Sequence, residues 1–257
     1  MPFSVVTWNV NGIRAREAAL HQWLQKSLPD VLCLQEIKAD KTKIPISFQN
    51  VDGYEIFWND STVRGGYSGT ALFVKKSTLQ SLKNPIFIIP PFDLENRLVG
   101  LQTDEFTLLG VYMPRGEKDD HYQVKLDFFK KIGQFLSLEM KNGREVMLCG
   151  DINVAHTPID LHDSQKSDDA VGFRPPERAE IDAWLQLGLK DVFREMNPGQ
   201  TGLYTWWPYW KGAREKNLGW RIDCLYASEK MAQNAKIGRI HTEEKSSDHA
   251  PMEIVFD

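Results

Sequence analysis

The sequence predicts a mixed α/β fold of sheets covered by outer helices, and two patterns predict it. Seven runs of strand length are apolar on successive residues more often than on alternate ones, which marks strands covered on both faces. Between them lie helical patterns that do not alternate strictly with the strands, as expected for sheets with helices outside them. In order, the runs are "SVVTWNV" (4–10), "DVLCLQE" (30–36), "GTALFVK" (69–75), "FTLLGVYM" (106–113), "EVMLCGD" (145–151), "RIDCLYA" (221–227) and "PMEIVFD" (251–257). The clearest helical stretch, 121–143, places Leu126, Phe129, Ile132 and Phe135 or Leu136 on one face and stops at Gly143. A second, 175–189, opens with two prolines and early acids, as helix starts do. No biased linker and no short repeat interrupts the chain, so residues 1–257 read as one domain.

Composition narrows the function. No stretch reaches the roughly 20 apolar residues of a membrane span. The first residues lack the basic region and apolar core of a signal peptide, so a cytoplasmic chain without membrane contact is expected. Cys33, Cys149 and Cys224 are odd in number, lack CxxC spacing and sit in apolar runs. They support neither a disulfide framework nor a zinc site, and they fit a reducing compartment. The net charge of −4 excludes coating of nucleic acid through bulk charge. It leaves room for a local basic surface, for which "GIRAR", "KADKTK" and "KGAREK" are candidates; each also reads as a solvated face.

The polar residues that carry chemistry fall where apolar runs end. Asn9 and Asn11 follow "VVTW", Glu36 follows "VLCLQ", Asp151 and Asn153 follow "MLCG", and Asp248 and His249 precede the last run. Loops at one edge of such sheets gather ligands, so one cleft can receive them all. Glu36 is either a solvated strand end or a metal carboxylate. In "CGDIN", Gly150 reads as a tight strand exit. Asp151 and Asn153, two apart, project to one side of an extended chain. They offer a carboxylate to activate water and an amide to steady an oxyanion; an Asx turn capping a helix is equally compatible. A hard cation such as Mg²⁺ takes oxygen ligands and only one or two carboxylates. Glu36, Asn9, Asp151 and Asp248 supply such donors, and no His and Cys cluster competes for a softer metal. The combination predicts a magnesium-assisted phosphoester hydrolase.

Nine blocks, "WNVNGIRA", "PDVLCLQEIKA", "GYSGTALF", "VYMPRGE", "CGDINVAHTPIDL", "GFRPPER", "YTWW", "LGWRIDCLYAS" and "SDHAP", together resemble the exonuclease III family of apurinic/apyrimidinic endonucleases. That family lies within the DNase I-like superfamily. The resemblance runs through almost the whole chain. It implies a four-layer α/β sandwich, two packed mixed sheets with helices outside. It also implies Mg²⁺-dependent hydrolysis of the DNA backbone 5′ to abasic sites, with Mn²⁺ able to substitute, leaving 3′-hydroxyl ends for base excision repair. A 3′-exonuclease or 3′-end-cleaning activity accompanies this. The partner is double-stranded DNA with abasic sites or blocked 3′ ends, and the protein is a monomer.

By the same resemblance Glu36 is the principal magnesium ligand and Asn9 an outer or direct one. Asp151 orients or deprotonates the attacking water, Asn153 steadies the transition state, and Tyr112 contacts the scissile phosphate. His249 binds a phosphate oxygen, and Asp223 of "WRID" pairs with that imidazole. Asp248 is an outer metal-site carboxylate, since neighbours in an extended segment point to opposite sides and make it a poor clamp for His249. The metal candidates are thus Asn9, Glu36, Asp151, Asn153, Asp248 and His249. Asn11, Arg14 and Tyr67 are candidate DNA contacts, Arg14 reading equally as a surface arginine.

Four tryptophans, Trp206, Trp207, Trp210 and Trp220, fall within 15 residues. Trp207 reads as core. Interleaved Lys211, Arg214, Lys216 and Arg221 suggest a nucleic-acid surface of aromatics among phosphate-binding cations. The resemblance implies that Trp206, Trp220 and Ile222 wall an apolar pocket for a flipped-out abasic sugar, cheap to extrude because it lacks a stacked base. The chain departs from the family at Ala170, where relatives carry asparagine, at the added acids Asp168 and Asp169, and at Arg115, where a neutral amide is usual. A lipid-phosphate hydrolase would lack "GWRID" and "YTWW", and a non-catalytic DNA binder would have lost a carboxylate or the histidine.

Overall fold

A computed structural model describes residues 2–210 and 212–257. Two six-stranded sheets form its centre. The first contains β1 (Phe3–Asn9), β2 (Val31–Gln35), β3 (Tyr54–Asn59), β4 (Thr70–Lys75), β11 (Ala235–Ile240) and β12 (Met252–Phe256), in the order β11-β12-β1-β2-β4-β3. The second contains β5 (Ile86–Ile88), β6 (Leu98–Gln102), β7 (Phe106–Tyr112), β8 (Glu145–Asp151), β9 (Leu189–Asp191) and β10 (Asp223–Ser228), in the order β5-β6-β7-β8-β10-β9. Each sheet is antiparallel except at its centre, where β1 runs parallel to β2 and β7 parallel to β8.

Parallel neighbours require a crossover. Helix α1 (Glu17–Ser27) provides it in the first sheet. The short α2 (Ile46–Gln49) and α3 (Lys76–Ser81) follow, and α4 (Asp119–Lys141) makes the crossover in the second. Helices α5 (Pro175–Gln186), α6 (Val192–Met196) and α7 (Glu229–Gln233) complete the set. The sheets pack face to face through Val5, Cys33, Leu72, Leu108, Cys149 and Leu225. Outside the first, Leu20, Trp23 and Leu24 of α1 cover Val6, Trp8 and Leu34. Outside the second, Phe129 and Ile132 of α4 and Ile181 and Trp184 of α5 cover Leu109, Val146 and Leu148. Successive residues such as Val5 and Val6 therefore serve different layers, which is why these strands are apolar throughout. The result is the expected four-layer sandwich.

Two glycines set approach distances. A Cβ on Gly110 would lie 2.1 Å from Cys33 Sγ in the facing sheet. Gly150 is not a strand exit, as its sequence suggested. It sits inside β8, where a Cβ would lie 1.9 Å from the Val111 carbonyl oxygen. The three cysteines are free and buried. On α4 the inward face is rotated from the one expected, with Lys125, Phe128, Phe129, Ile132 and Leu136 buried and Leu126 only half-buried. Arg221, expected on a nucleic-acid surface, is buried instead. It donates from Nε to Asp160 and from Nη2 to Asp191, each at 2.7 Å. Arg214 is also diverted inward, stacking on Trp207 and donating to the Ser247 and Glu244 carbonyls. Lys216 is exposed, and Lys211 lies outside the described residues.

Candidate active site

The carboxyl ends of the two parallel pairs meet at one edge of the sandwich. Strand β1 ends at Asn9, β2 runs into Glu36, β7 ends at Tyr112 and β8 at Asp151. Strand β10 starts at the same edge, with Asp223 directly across from Asp151. One buried amide joins the two sheets: Asn9 Nδ2 donates to Glu36 Oε1 and to Asp151 Oδ2, both at 2.8 Å. Its Oδ1 accepts the Asn11 backbone N–H at 3.0 Å. The other oxygen of Glu36 lies 2.6 Å from Lys38 Nζ.

His249 is held from both sides. Its Nδ1 lies 2.8 Å from Asp223 Oδ2, and its Nε2 faces Asp151 Oδ2 at 3.9 Å. Asp248 turns the other way, accepting from Asn11 Nδ2 at 2.9 Å and from Trp206 Nε1 at 3.0 Å. The structure therefore puts Asp223, not the adjacent Asp248, on the imidazole. Asn153 takes part in the expected Asx turn, though that turn caps no helix, the next helical turn starting only at Pro158. Its backbone N–H donates to Asp151 Oδ1 at 3.0 Å in an Asx turn. Its side chain still lines the cleft, with Nδ2 fixed to the Met113 carbonyl at 2.8 Å.

The electrostatics follow from burying so many charges together. Burial opposes charge on Glu36, but Lys38 and the Asn9 amide hold its carboxyl below the ordinary value. Burial lifts Asp151 and the Asp223 carboxylate lifts it further, against the pull of His249, to about 7. Burial works against a charged His249, yet Asp223 and Asp151 overcome it and raise the imidazole to about 10. Near neutral pH His249 is therefore an imidazolium facing an acid poised to give up or take a proton. The Tyr112 phenol is pushed well up by burial and by Glu36, so it keeps its proton; Arg97 lies 4.6 Å over its ring.

The donor set fits a cation. Ligand atoms of Asp151, Asp223 and His249 lie within 4.8 Å of one another, and Asp223 Oδ1 is buried without a hydrogen-bond partner. Such a mainly oxygen set, with Glu36 one amide away, suits a hard divalent ion. Glu36 and Lys38 have φ of 51° and 52°. That conformation costs side chains of their kind about 1–3 kcal/mol each, and surrounding structure must enforce it. Here the Gly12 N–H donates to the Glu36 carbonyl at 2.7 Å and the Lys38 N–H to the Ser68 carbonyl at 2.9 Å.

These residues open onto a cleft of about 480 Å³ whose other wall is aromatic. Trp206 and Trp220 meet edge to face at 6.4 Å, and Ile222 packs with them against Leu161 and Phe173. Arg14 is exposed beside α1, away from the cleft lining. Tyr67 is likewise outside the lining; its hydroxyl accepts from Arg97 Nη2 at 2.5 Å. Of the departures, Ala170 packs with the apolar cluster, Asp168 lies 3.8 Å from Arg178, and Arg115 lines the cleft and pairs with Glu117. Sequence reasoning missed Lys38, Gln165, Tyr209 and Arg97. Lys38 opens the "KADKTK" run, and its place two residues after Glu36 was the available signal.

Residues 6–249 match the endonuclease/exonuclease/phosphatase family. An exodeoxyribonuclease from Bacillus subtilis (strain 168) is 32% identical over 256 residues, covering 98% of this chain and 99% of that protein. Among solved structures, an AP endonuclease from Archaeoglobus fulgidus superposes with a TM-score of 0.85 at 31% identity, over 99% of both chains. A 3′ phosphatase from Neisseria bound to product DNA hairpin gives 0.87 at 28% identity, again over 99% of both.

Proposed function

The chain belongs to the endonuclease/exonuclease/phosphatase family, among its exonuclease III-type DNA repair nucleases, and from that premise we propose that it hydrolyses the DNA backbone 5′ to abasic sites with Mg²⁺. The product carries a 3′-hydroxyl, and the same site removes 3′-terminal nucleotides and 3′ blocking groups. One observation supports the reading: Asp151 and His249, the latter backed by the buried Asp223, line one cleft with Trp206, Trp220 and Ile222. A phosphoester can lie on the first while the sugar that carries no base enters the second. A stacked, paired base resists extrusion, so an abasic nucleotide is selected by its low cost.

The roles proposed are those the family resemblance implies, and the geometry is compatible with them. Asp151, whose carboxyl burial raises above the ordinary value, takes the proton of the attacking water. His249, kept charged and aimed by Asp223, donates from Nε2 to a phosphate oxygen. Tyr112, which keeps its proton and lies buried beside Glu36 behind the cleft lining, is the second proposed donor, and the Asn153 amide, fixed on Met113, holds the reacting group against Asp151. Glu36 and the neighbouring carboxylates would hold a divalent ion, which would supply neutralisation of the phosphate charge; Mg²⁺ suits the oxygen donors, and Mn²⁺ shares that preference. Among the described residues no helix is long and apolar enough to cross a membrane. A monomer working on chromosomal DNA in the cytoplasm completes the proposal.

The test is a labelled duplex carrying one abasic site, incubated with Mg²⁺ and with chelator beside an undamaged duplex. A single nick on the 5′ side, in the damaged strand and with Mg²⁺ only, is expected. Damaged duplex left intact under both conditions would sink the reading. A 3′-phosphate end in the same assay measures end cleaning.

A further inference from the structure

Beneath the wall formed by Arg115, Asn153 and Gly172 lies an ion pair with no exposed side-chain surface, Lys125 of α4 and Glu177 of α5. An ammonium has three donors, and Lys125 places all of them. One meets Glu177 Oε1 at 2.5 Å, one the Asn153 carbonyl at 2.9 Å and one the Arg115 carbonyl at 3.2 Å. The second oxygen of Glu177 accepts the backbone N–H of Gly172 at 2.9 Å and of Arg174 at 3.0 Å. Four backbone groups from three separate loops are thus tied to one point.

Stability alone does not explain such a pair. Taking both charges out of water offsets most of their attraction, and well-packed apolar residues of similar volume hold a core as well or better. An apolar pair, however, cannot fix the backbone of three loops. Those loops carry Arg115, the Asn153 amide beside Asp151, and Gly172 at the mouth of the apolar pocket. Gly172 has little latitude, because a Cβ there would lie 2.9 Å from the Asn153 carbonyl oxygen.

We propose that Lys125 and Glu177 are positioning residues for the cleavage reaction, setting the three loops in register so that Asn153 meets the reacting phosphate. The proposal rests on the nuclease reading of the cleft. It is tested with Glu177→Gln and with the apolar double variant Lys125→Met/Glu177→Leu. Glu139→Gln serves as reference, a buried carboxylate near the other end of α4 that binds Thr107, Gln102 and Arg144. Turnover and KM for abasic-site nicking are measured at saturating Mg²⁺, well below each variant's unfolding temperature. Because small misplacements of reacting groups are costly, kcat should fall roughly ten- to hundredfold in both cleft-side variants, with KM changing less than about threefold. Glu139→Gln should stay within about twofold of the parent kcat. The decisive arm is the double variant, whose apolar pair is expected to keep the fold while kcat stays low. A folded double variant with parental kcat would overturn the positioning role; so would Glu177→Gln with parental kcat, should the double variant not fold. An inert parent chain would instead overturn the nuclease reading, and the proposal with it.

Discussion

The floor of the cleft and its rim are built on opposite principles. Asn9, Asp151, Asp223 and His249 are at most 4% exposed, sit at or beside strand ends, and bond to one another. Tyr209 and Trp210 at the rim are 71% and 57% exposed and sit on a loop. Tyr209 is tied to the floor by its hydroxyl, 2.9 Å from Asn11 Nδ2. The floor groups hold one another in place, an arrangement that electrostatic stabilisation of a transition state requires. The buried floor is fixed by the sandwich, and the exposed rim is carried by a loop.

The sharpest way to break this division is Asp223→Asn. Misplacing the imidazole should lower kcat by roughly 10³- to 10⁴-fold while metal affinity changes little, as in other triads that lose the orienting carboxylate. Kinetics alongside metal titration by calorimetry would check it. Collapse of metal binding with normal turnover per bound ion would instead make Asp223 a ligand, a use open to its orphaned Oδ1.

Next comes the scaffold beneath the floor. Burial works against a charged Asp160, but Arg221 and Arg194 hold its carboxyl well below the ordinary value of 3.8. A carboxyl whose folded pKa is depressed adds stability above its ordinary pKa and loses it as pH falls through the folded value. Denaturant titrations should show that contribution intact at neutral pH and eroding below about 4. Asp160→Asn, which leaves the buried Arg221 with Asp191 as its remaining carboxylate, should cost at most about 3–5 kcal/mol at pH 7. Equal acid sensitivity in parent and variant would remove Asp160 from the explanation.

The smallest effect is expected at the rim. Trp210→Ala removes a surface on which a base can stack, worth about 1–3 kcal/mol. KM should rise about tenfold with kcat within about twofold. A fall in kcat at constant KM would show the rim acting in the chemical step.

The same division explains what the sequence disclosed. The seven legible runs became β1, β2, β4, β7, β8, β10 and β12, strands at or near the sheet centres with both faces covered. Strands β3, β5, β9 and β11 lie at sheet edges, where burial on both faces is not enforced; β6, one place in, is buried along most of its length and was passed over all the same. Strand β11 is half-exposed along its length, and β5 has three residues. Floor residues were legible because they terminate the central strands. Arg221 was misread because no local signal shows that its counter-charges arrive from 61 and 30 positions upstream. Lys125 was passed over because a lysine beside Leu126 reads as solvated until the facing glutamate is known. Arg14 sits in a short 3-10 turn before α1 and Tyr67 on a loop, stretches whose course no periodicity encodes.

The burial of all three thiols has a practical corollary. A maleimide or iodoacetamide reagent finds none of Cys33, Cys149 or Cys224 on the folded surface, so the native chain should be silent to labelling. A single cysteine placed at exposed Tyr209 would then be the only reactive position, ready to carry a fluorophore that reports DNA arriving at the rim. The same silence turns thiol reactivity into a clock for global opening, because all three sulfurs lie in the packed layers and emerge only when those layers part.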